Sequence, residues 1–316
     1  MTSVLSGKHF HDEAAAYEFL EARIWPNGPV CPHCGGTDRI SKMQGESTRA
    51  GVYKCYQCRK QFRVTVGTVF ESSHVKLHLW LQAVALLSSS KKGISSNQLH
   101  RVLGVTLKTA WFMSHRIREA MRDGKLSPMG GAGEIVEIDE TYHGQLETPR
   151  KLSRNRKPRW LKGGVGPARK RAIISLVQRG GKVRSFHVEN ADKATVTKIV
   201  NGNLDQESRV HTDESRIYGS LLDQVAEHHA VNHSKGEYVR GEVHTNTVES
   251  YFSIFKRGMR GTYQHCAEKN LHRYLAEFDF RHNHRVALGV NDQGRADQIL
   301  TGIVGKRLTY QTANQR

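Results

Sequence analysis

Two pairs of cysteines constrain the fold of this chain more than any other feature of its sequence. They have the spacing C-x2-C-x20-C-x2-C, with Cys31 and Cys34 in the first pair and Cys55 and Cys58 in the second. A tight turn within each pair aims two thiolates at one ion, and two such turns complete a tetrahedral site with no open position for chemistry. The spacing therefore predicts structural Zn²⁺ in a small ribbon, and the unpaired Cys266 is expected to pack rather than react.

The charge of the chain favours a polyanionic partner. Its 316 residues carry 48 Lys and Arg against 30 Asp and Glu, a formal charge of +18. Basic side chains release the counterions condensed on nucleic acid, so double-stranded DNA is the leading candidate. The odd number of cysteines, the missing signal pattern and the lack of a long apolar run predict a cytoplasmic protein without a membrane partner.

The segment after the ribbon has the pattern of a helix-turn-helix. Three stretches have helical spacing: "LHLWLQAVALLSSS", "NQLHRVLG" and "TLKTAWFMSHRIREAM". Ser95 or Ser96 can cap the second helix, Gly104 permits the turn that follows, and Thr106 can cap the third helix. The pattern predicts that Leu99, Val102 and Leu103 point into the core.

One face of the third helix is predicted to contact DNA, as a helix lying in a major groove would. The alternative is a three-helix bundle whose basic face is only solvated. The residues of the predicted DNA-binding face are Lys108, Thr109, His115, Arg116 and Arg118.

Residues 127–133, "SPMGGAG", introduce a change from helical to strand periodicity. Beyond them, strands are predicted in "EIVEID", "RAIISLVQ", "KVRSFHVE", "SRVHTD" and "HHAVNHS", and helices in "KATVTKIVNGNL", 246–258 and 268–281. This alternation predicts a mixed α/β layer. The predicted domains are an N-terminal helix and zinc ribbon (1–66), a helix-turn-helix (67–128), a catalytic domain (129–290) and a C-terminal tail (291–316).

Three acidic residues stand where they can converge. Asp139 and Asp213 each end an apolar strand, and Glu249 lies on a predicted helix. Together they offer three oxygen ligands for a pair of divalent cations, which phosphodiester chemistry requires. Glu137 and Glu140 flank Asp139 but are expected to turn away from it.

Glu249 also has a structural explanation that the sequence leaves open. Asn246 stands three residues before it, which is the spacing of a capping box that closes the first turn of a helix. Lys256 lies on the same stripe as Glu249, nearly two turns further on, and can reach whatever Glu249 approaches.

The segments "IDETYHG", "HTDES" and "HTNTVESYFSIFKRGMRGTYQH", together with the ribbon and the helix-turn-helix, resemble bacterial insertion-sequence transposases of the DDE class. The resemblance implies an RNase H-like, retroviral integrase-like core that cuts element ends and joins their 3′ hydroxyls to target DNA with Mg²⁺. Asp139, Asp213 and Glu249 would hold two Mg²⁺ ions, and Lys256 would position DNA. Asn246 is an alternative third residue in this group, although Glu249 is preferred because a carboxylate neutralises a dication better than an amide.

The resemblance also suggests Tyr251 and Arg257 as DNA contacts and a homo-oligomer on paired element ends, associated with the nucleoid. The basic segment 145–170 is either a DNA-clamping arm or a solvated insertion. Histidine–metal catalysis is disfavoured, because the histidines lack a consistent ligand spacing. Two alternative functions are a DNA-binding regulator with a silent RNase H-like domain and a structure-specific nuclease.

Overall fold

The computed structural model describes residues 3–124, 127–147, 170–219, 221 and 224–309. These residues form two compact units, the first made of Met1–Arg122 with His284–Arg316 and the second of Asp123–Asn283. Most of the basic segment 145–170 lies outside the described residues. Within the described ranges, no helix combines the length and the apolar character that crossing a membrane requires.

The first unit begins with a helix, continues into the cysteine ribbon and then becomes helical. The ribbon is a three-stranded antiparallel sheet. The elements are α1 (Glu13–Ile24), β1 (Ile40–Lys42), β2 (Tyr53–Cys55), β3 (Gln61–Phe62), α2 (Leu77–Ser89), α3 (Ser96–Leu103) and α4 (Leu107–Met121).

Local hydrogen bonds explain where α3 and α4 begin and end. The Ser95 side chain accepts a hydrogen bond from the Gln98 amide (3.1 Å), and Thr106 Oγ1 accepts one from the Thr109 amide (3.2 Å). Between the helices Gly104 has φ 64°, a left-handed conformation that glycine adopts without steric cost. These caps and this turn are as predicted. The predicted inward face of α3 is confirmed for Leu99 and Leu103, whereas Val102 is wrong, since it is 51% exposed.

The second unit is a mixed five-stranded sheet with helices on both faces, as the alternating pattern predicted. A short hairpin precedes the helix that carries Glu249. The elements are β4 (Ile135–Gln145), β5 (Lys170–Gln178), β6 (Val183–Val188), α5 (Lys193–Asn203), β7 (Arg209–Asp213), β8 (Glu227–Val231), β9 (Val239–Arg240), β10 (Val243–His244), α6 (Asn246–Gly258) and α7 (Leu271–Asn283).

The strand order is β6-β5-β4-β7-β8, with β4 antiparallel to β5 and parallel to β7. Alternate residues of β4 serve opposite faces of the sheet. Val136 and Ile138 pack in the core with α5, while Glu137 contacts the start of α6 on the other face. Because Asp139 has the same parity as Glu137, it belongs to the α6 face.

The register between β4 and β7 brings the two predicted aspartates together. Ile135 pairs with Arg209, and Glu137 pairs with His211. The parallel pairing ends there, and Asp139 and Asp213 each lie two residues further along their strands. Asp213 ends β7, whereas β4 continues to Gln145, so the expectation that Asp139 ends its strand is wrong. The two carboxyl groups are close enough for the charge of Asp213 to act on Asp139.

A buried polar network fastens α6 and α7 to the sheet. Asp279 Oδ1 accepts hydrogen bonds from Tyr251 Oη (2.5 Å) and Ser185 Oγ (2.7 Å), and its Oδ2 accepts one from the Ser185 amide (2.8 Å). Burial raises the pKa of Asp279 to about 6. Tyr251 is only 3% exposed, so the expectation that it contacts DNA is wrong.

The chain ends in the first unit. Helix α8 (Asp292–Thr301) packs against α2, although residues 291–316 were expected to form a tail. The two compact units have other boundaries than the four consecutive domains predicted from the sequence. Those four domains stay a prediction.

Candidate active site and zinc centre

The four cysteines form a preassembled tetrahedral site. Their Sγ atoms all lie within 4.8 Å of one another. The Cys31–Cys58 and Cys34–Cys55 separations are 3.6 and 3.7 Å. A Zn–S bond of about 2.3 Å places two thiolates of a tetrahedron about 3.8 Å apart, so the sulfur positions fit zinc.

The two turns that aim the sulfurs have the same backbone geometry. The residue after each second cysteine is left-handed, with φ 73° at Gly35 and φ 62° at Arg59. In the first turn the Gly35 amide donates to the Cys31 carbonyl (2.8 Å). In the second turn the Cys58 amide is the main cause that lowers the pKa of the Cys55 thiol to about 7, which favours the ligating thiolate. Tyr53 and Phe62 pack against the cluster.

Three residues of the predicted DNA-binding face of α4 are buried. His115, Arg116 and Arg118 are 1%, 5% and 1% exposed, so their assignment as an exposed DNA-contacting face is wrong. Arg116 donates to the carbonyl oxygens of Leu308 (3.0 Å) and Glu71 (2.9 Å), and Arg118 donates to Ser114 Oγ (3.0 Å). Helical spacing cannot distinguish an exposed cation from one that binds backbone carbonyls inside the unit.

Only the first turns of α4 remain accessible. Lys108 is exposed and Thr109 is half-buried. Leu107 and Trp111 are 45% and 37% exposed. The accessible part of α4 is therefore its N-terminal end, which combines one cation with apolar surface.

In the second unit an open cleft of about 440 Å³ lies between the edge of β4 and helix α6. Acidic groups come from β4 and from the start of α6, whereas basic groups come from the second half of α6 and the residues after it. The lining residues are Asp139, Glu140, Thr141, Glu249, Phe252, Ser253, Lys256, Arg257 and Arg260.

Asp139 is the most strongly perturbed acid of this cleft. Burial, followed by the negative charges of Glu140, Asp213 and Glu249, raises its pKa to about 8. Its Oδ1 accepts a hydrogen bond from the Glu140 amide (2.7 Å). Several carboxylates thus repel one another beside this cleft, an arrangement that is typical of a cation site.

The neighbouring acids are held by local contacts. Asp213 does not line the cleft, but its Oδ1 accepts the Ser215 amide (3.0 Å) and its pKa is raised, first by burial. Glu140 accepts a hydrogen bond from Tyr218 Oη (2.5 Å). Burial is also the main cause that raises the pKa of Glu140. The expectation that Glu140 turns away from the site is therefore wrong.

Helix α6 does not begin with the capping box that the sequence allows. The N-cap is Thr245, and Asn246 is the first helical residue, exposed to solvent and absent from the cleft lining. Thr245 Oγ1 donates to Glu249 Oε1 (3.0 Å), while the Glu249 side chain keeps 46% of its surface exposed. Glu249 therefore lines the cleft instead of capping the helix.

The acids are spaced more loosely than the cysteines. In the described part of the chain, the cysteine cluster is the one group of three or more His, Cys, Asp or Glu side chains whose ligand atoms all lie within 4.8 Å. The charges of Asp139, Asp213 and Glu249 interact, but their ligand atoms do not all lie within 4.8 Å of one another.

Basic groups form the other wall of the cleft. Lys256 has a lowered pKa, mainly because it is partly buried, although Asp139 opposes that effect. Arg257 was expected at a DNA contact, whereas Arg260 was not singled out. Arg260 lies in a π-helical turn, Met259–Tyr263, that continues α6. The run "KRGMR" was its available sequence signal, and π-helical turns are often found at functional sites.

Glu137 was expected to face away from the site and instead lies completely buried beneath the start of α6. Its carboxylate accepts hydrogen bonds from the backbone amides of Thr247 and Val248. Strand parity alone would have placed it on the face of Asp139, two residues further on.

Comparison with known proteins identifies the class of protein that this fold and this site define. Residues 11–61 match the transposase zinc-ribbon domain family, and residues 131–283 match the ISXO2-like transposase domain family. The two matches cover the cysteine cluster and the acid-lined cleft, and they are typical of a DNA transposase.

A relative supports the same assignment over most of the chain. An uncharacterized protein in transposable element ISH50 of Halobacterium salinarum is 32% identical over 281 residues, which cover 87% of this chain and 92% of that protein. The chain belongs to the DDE-class insertion-sequence transposases that carry an N-terminal zinc ribbon, as its motifs suggested.

Replacing a cysteine of the cluster should remove the metal. We expect Cys55→Ser to lose bound zinc and the cooperative unfolding of the ribbon, because zinc binding supplies roughly 10–16 kcal/mol to such small sites. Zinc content by mass spectrometry and thermal unfolding measure both effects. Cys266→Ser is the control and should retain the metal; full zinc occupancy in Cys55→Ser would contradict the assignment.

Replacing Asp139 should stabilise the protein when no Mg²⁺ is present. The pKa of Asp139 is about 8 in the folded protein, above the value of about 3.9 in the unfolded chain. Below pH 4 the carboxyl group is protonated in both states. As the pH rises towards 8 it ionises more readily in the unfolded chain, so the folded protein loses stability. Asp139→Asn should raise the free energy of unfolding of the second unit by roughly 2 kcal/mol at pH 7.5, and by much less at pH 5. Thermal unfolding tests this gain against Asp38→Asn, an exposed control; an equal effect at both pH values would refute it.

Proposed function

We propose that this transposase cuts DNA strands at the ends of its element and joins the 3′ hydroxyl ends to target DNA. The observation that carries the proposal is the cleft in which Asp139 and Glu249 face Lys256, Arg257 and Arg260. One wall suits cations and the other suits phosphate groups, and a phosphodiester reaction needs both. The five-stranded mixed sheet supports an RNase H-like core of the integrase type.

Asp139, Asp213 and Glu249 would hold two Mg²⁺ ions, because their carboxylate oxygens are the ligands that this hard cation prefers. When bound, the ions supply Lewis-acid stabilisation of the attacking and leaving oxygens. Asp139 must lose its proton to ligate, and its raised pKa makes cation binding tighter at higher pH. To bind an ion with Oε1, Glu249 would have to break the hydrogen bond that this atom accepts from the Thr245 hydroxyl. The exposed Asn246 is less suited to complete the triad, since it does not line the cleft.

Lys256, Arg257 and Arg260 would hold the DNA backbone across the cleft. Lys256 lies on the same stripe of α6 as Glu249, nearly two turns further on, and its ammonium group is close enough to Asp139 for their charges to interact. Such a cation can orient the phosphate next to the acids while the arginines bind neighbouring phosphates. These residues would position the scissile bond without taking part in proton transfer.

The first unit would recognise element ends through the ribbon and the helix-turn-helix. Lys108 and Thr109 stand in the accessible N-terminal part of α4, where recognition helices contact base edges. The exposed Leu107 and Trp111 add apolar surface suited to thymine methyl groups. Both ends of an element must be processed together, so we propose a homo-oligomer on paired ends that acts on the bacterial nucleoid.

Metal-dependent cleavage and joining test the proposal directly. Labelled duplexes that carry the element's terminal repeats should be nicked in Mg²⁺ and then joined to a second duplex. Asp139→Asn, Asp213→Asn and Glu249→Gln should each reduce both products by at least about a hundredfold, because each removes a cation ligand. Glu227→Gln, on the outer strand β8, is the control and should retain activity.

The alternative functions predict different products. A DNA-binding regulator would bind the same duplex without cutting it, and a structure-specific nuclease would cut without joining. Activity that survives in both aspartate variants would refute the proposed site.

A DNA-binding measurement tests the proposed contact between α4 and DNA. Lys108→Ala should weaken binding to end-containing duplex about 3- to 30-fold and reduce the salt dependence by roughly one phosphate contact. Lys8→Ala removes the same charge from an exposed position outside α4 and should leave binding nearly unchanged. Fluorescence anisotropy at several salt concentrations compares the two; equal effects would contradict a specific role for α4.

A further inference from the structure

Glu137 has contacts that the proposed chemistry leaves unexplained. Its carboxylate is fully buried and accepts hydrogen bonds from the Thr247 amide (2.8 Å), the Val248 amide (3.0 Å), Thr247 Oγ1 (2.8 Å) and Arg179 Nε (2.7 Å). A buried acid with four donors is far more ordered than the acids of the cleft. Glu137 therefore belongs to a set of buried contacts, here called the framework, that lies beneath the acids of the cleft.

The contacts of Glu137 replace a local helix cap. Thr245, the N-cap of α6, makes no side-chain capping hydrogen bond, and the first amides of a helix need acceptors. Glu137 supplies a carboxylate to two of these amides from the neighbouring strand, and its charge also suits the positive end of the helix dipole. Because a distant residue performs the capping, the carboxylate of Glu249 remains available to the cleft.

Arg179 extends this framework to the third element of the site. Its Nη2 donates to Nδ1 of His211 (3.2 Å) on β7 and to the His244 carbonyl (3.0 Å), immediately before α6. Its Nη1 donates to the Glu242 carbonyl (2.7 Å). One pair, the fully buried Glu137 with the partly exposed Arg179, therefore connects β4, β7 and the start of α6.

The positions of these contacts match those of the acids. Glu137 precedes Asp139 by two residues, His211 precedes Asp213 by two residues, and Thr247 precedes Glu249 by two residues. On the two strands, a two-residue step keeps the same face and moves about 6.6 Å towards the cleft. The Glu137–Arg179 pair thus contacts each of the three elements that carry the acids.

We propose that Glu137, paired with Arg179, is a positioning residue that sets the separation of Asp139, Asp213 and Glu249 and thereby the Mg²⁺ affinity of the site. This role rests on the proposed function of the three acids. Glu137 touches neither DNA nor the reacting atoms. It fixes the helix that carries Glu249 against the strand that carries Asp139.

The test compares two buried glutamates, each paired with an arginine, in the full-length chain. Glu137→Gln keeps the shape of the side chain but gives the two amides a poorer acceptor. Glu277→Gln is the matched control: Glu277 is equally buried and contacts Arg281 and Tyr263, away from the acids. Both variants should lose stability, so thermal unfolding alone does not distinguish a positioning role from a structural one.

Mg²⁺ affinity distinguishes the two roles. Calorimetric titration with Mg²⁺ should show about 10- to 100-fold weaker binding in Glu137→Gln, the range seen when groups that orient metal ligands are lost. Glu277→Gln should bind within about twofold of the wild type. The Mg²⁺ concentration for half-maximal cleavage should rise in parallel, with activity recovered at high Mg²⁺. Unchanged affinity in Glu137→Gln, or an equal loss in both variants, would overturn the proposal.

Thr247→Val provides a milder variant if Glu137→Gln does not fold. It removes only the Oγ1 contact to Glu137 and should weaken Mg²⁺ binding about threefold, whereas no change would count against the positioning role. A wild-type protein that neither binds Mg²⁺ nor cuts DNA would refute the proposed function and this inference with it. A wild-type protein that does both, with affinity equal in all variants, would refute the positioning role alone.

Discussion

Repulsion among carboxylates at one edge of a sheet is the constraint on which the site depends. The parallel pairing of β4 with β7 brings Asp139 near Asp213, and helix α6 adds Glu249 to the cleft that Asp139 lines. Burial and the neighbouring acids raise the pKa of Asp139 to about 8, so a negative charge on this carboxyl group is destabilised. The contacts of the Glu137–Arg179 pair link the three elements that carry the acids.

The two candidate metal centres differ in the spacing and the solvent exposure of their ligand groups, as their proposed functions require. The cysteine cluster is tight and closed, with four sulfurs already at tetrahedral separations, and it suits an ion that stabilises the fold. The acid cluster is open and more widely spaced, with Glu249 half-exposed and bonded to a threonine. An open carboxylate site can accept ions together with substrate, as phosphate chemistry requires. Lys256, Arg257 and Arg260 form the basic wall of the same cleft, which suits phosphate groups.

Local signals predicted most of the fold. Cysteine spacing, the Ser95 and Thr106 caps and strand periodicity gave elements close to those observed, because each depends on residues adjacent in the chain. Tertiary contacts explain the errors. Arg116 and Arg118 are buried because carbonyl and hydroxyl acceptors from other turns or segments reach them. Of the two roles that the sequence left open for Glu249, the capping box is absent, and Glu137 caps α6 from a strand more than a hundred residues earlier. Such partners leave no periodic pattern in the sequence.

The central claim is that Asp139, Asp213 and Glu249 converge on the same pair of cations when DNA is bound. A crystal structure of the protein with end-containing DNA and Mn²⁺, analysed by anomalous scattering, measures this directly. The account predicts two manganese peaks in the cleft, with oxygen atoms of Asp139 and Asp213 and at least one of Glu249 within about 2.4 Å of an ion. Peaks coordinated elsewhere, or an Asp139 carboxylate that contacts neither ion, would contradict it.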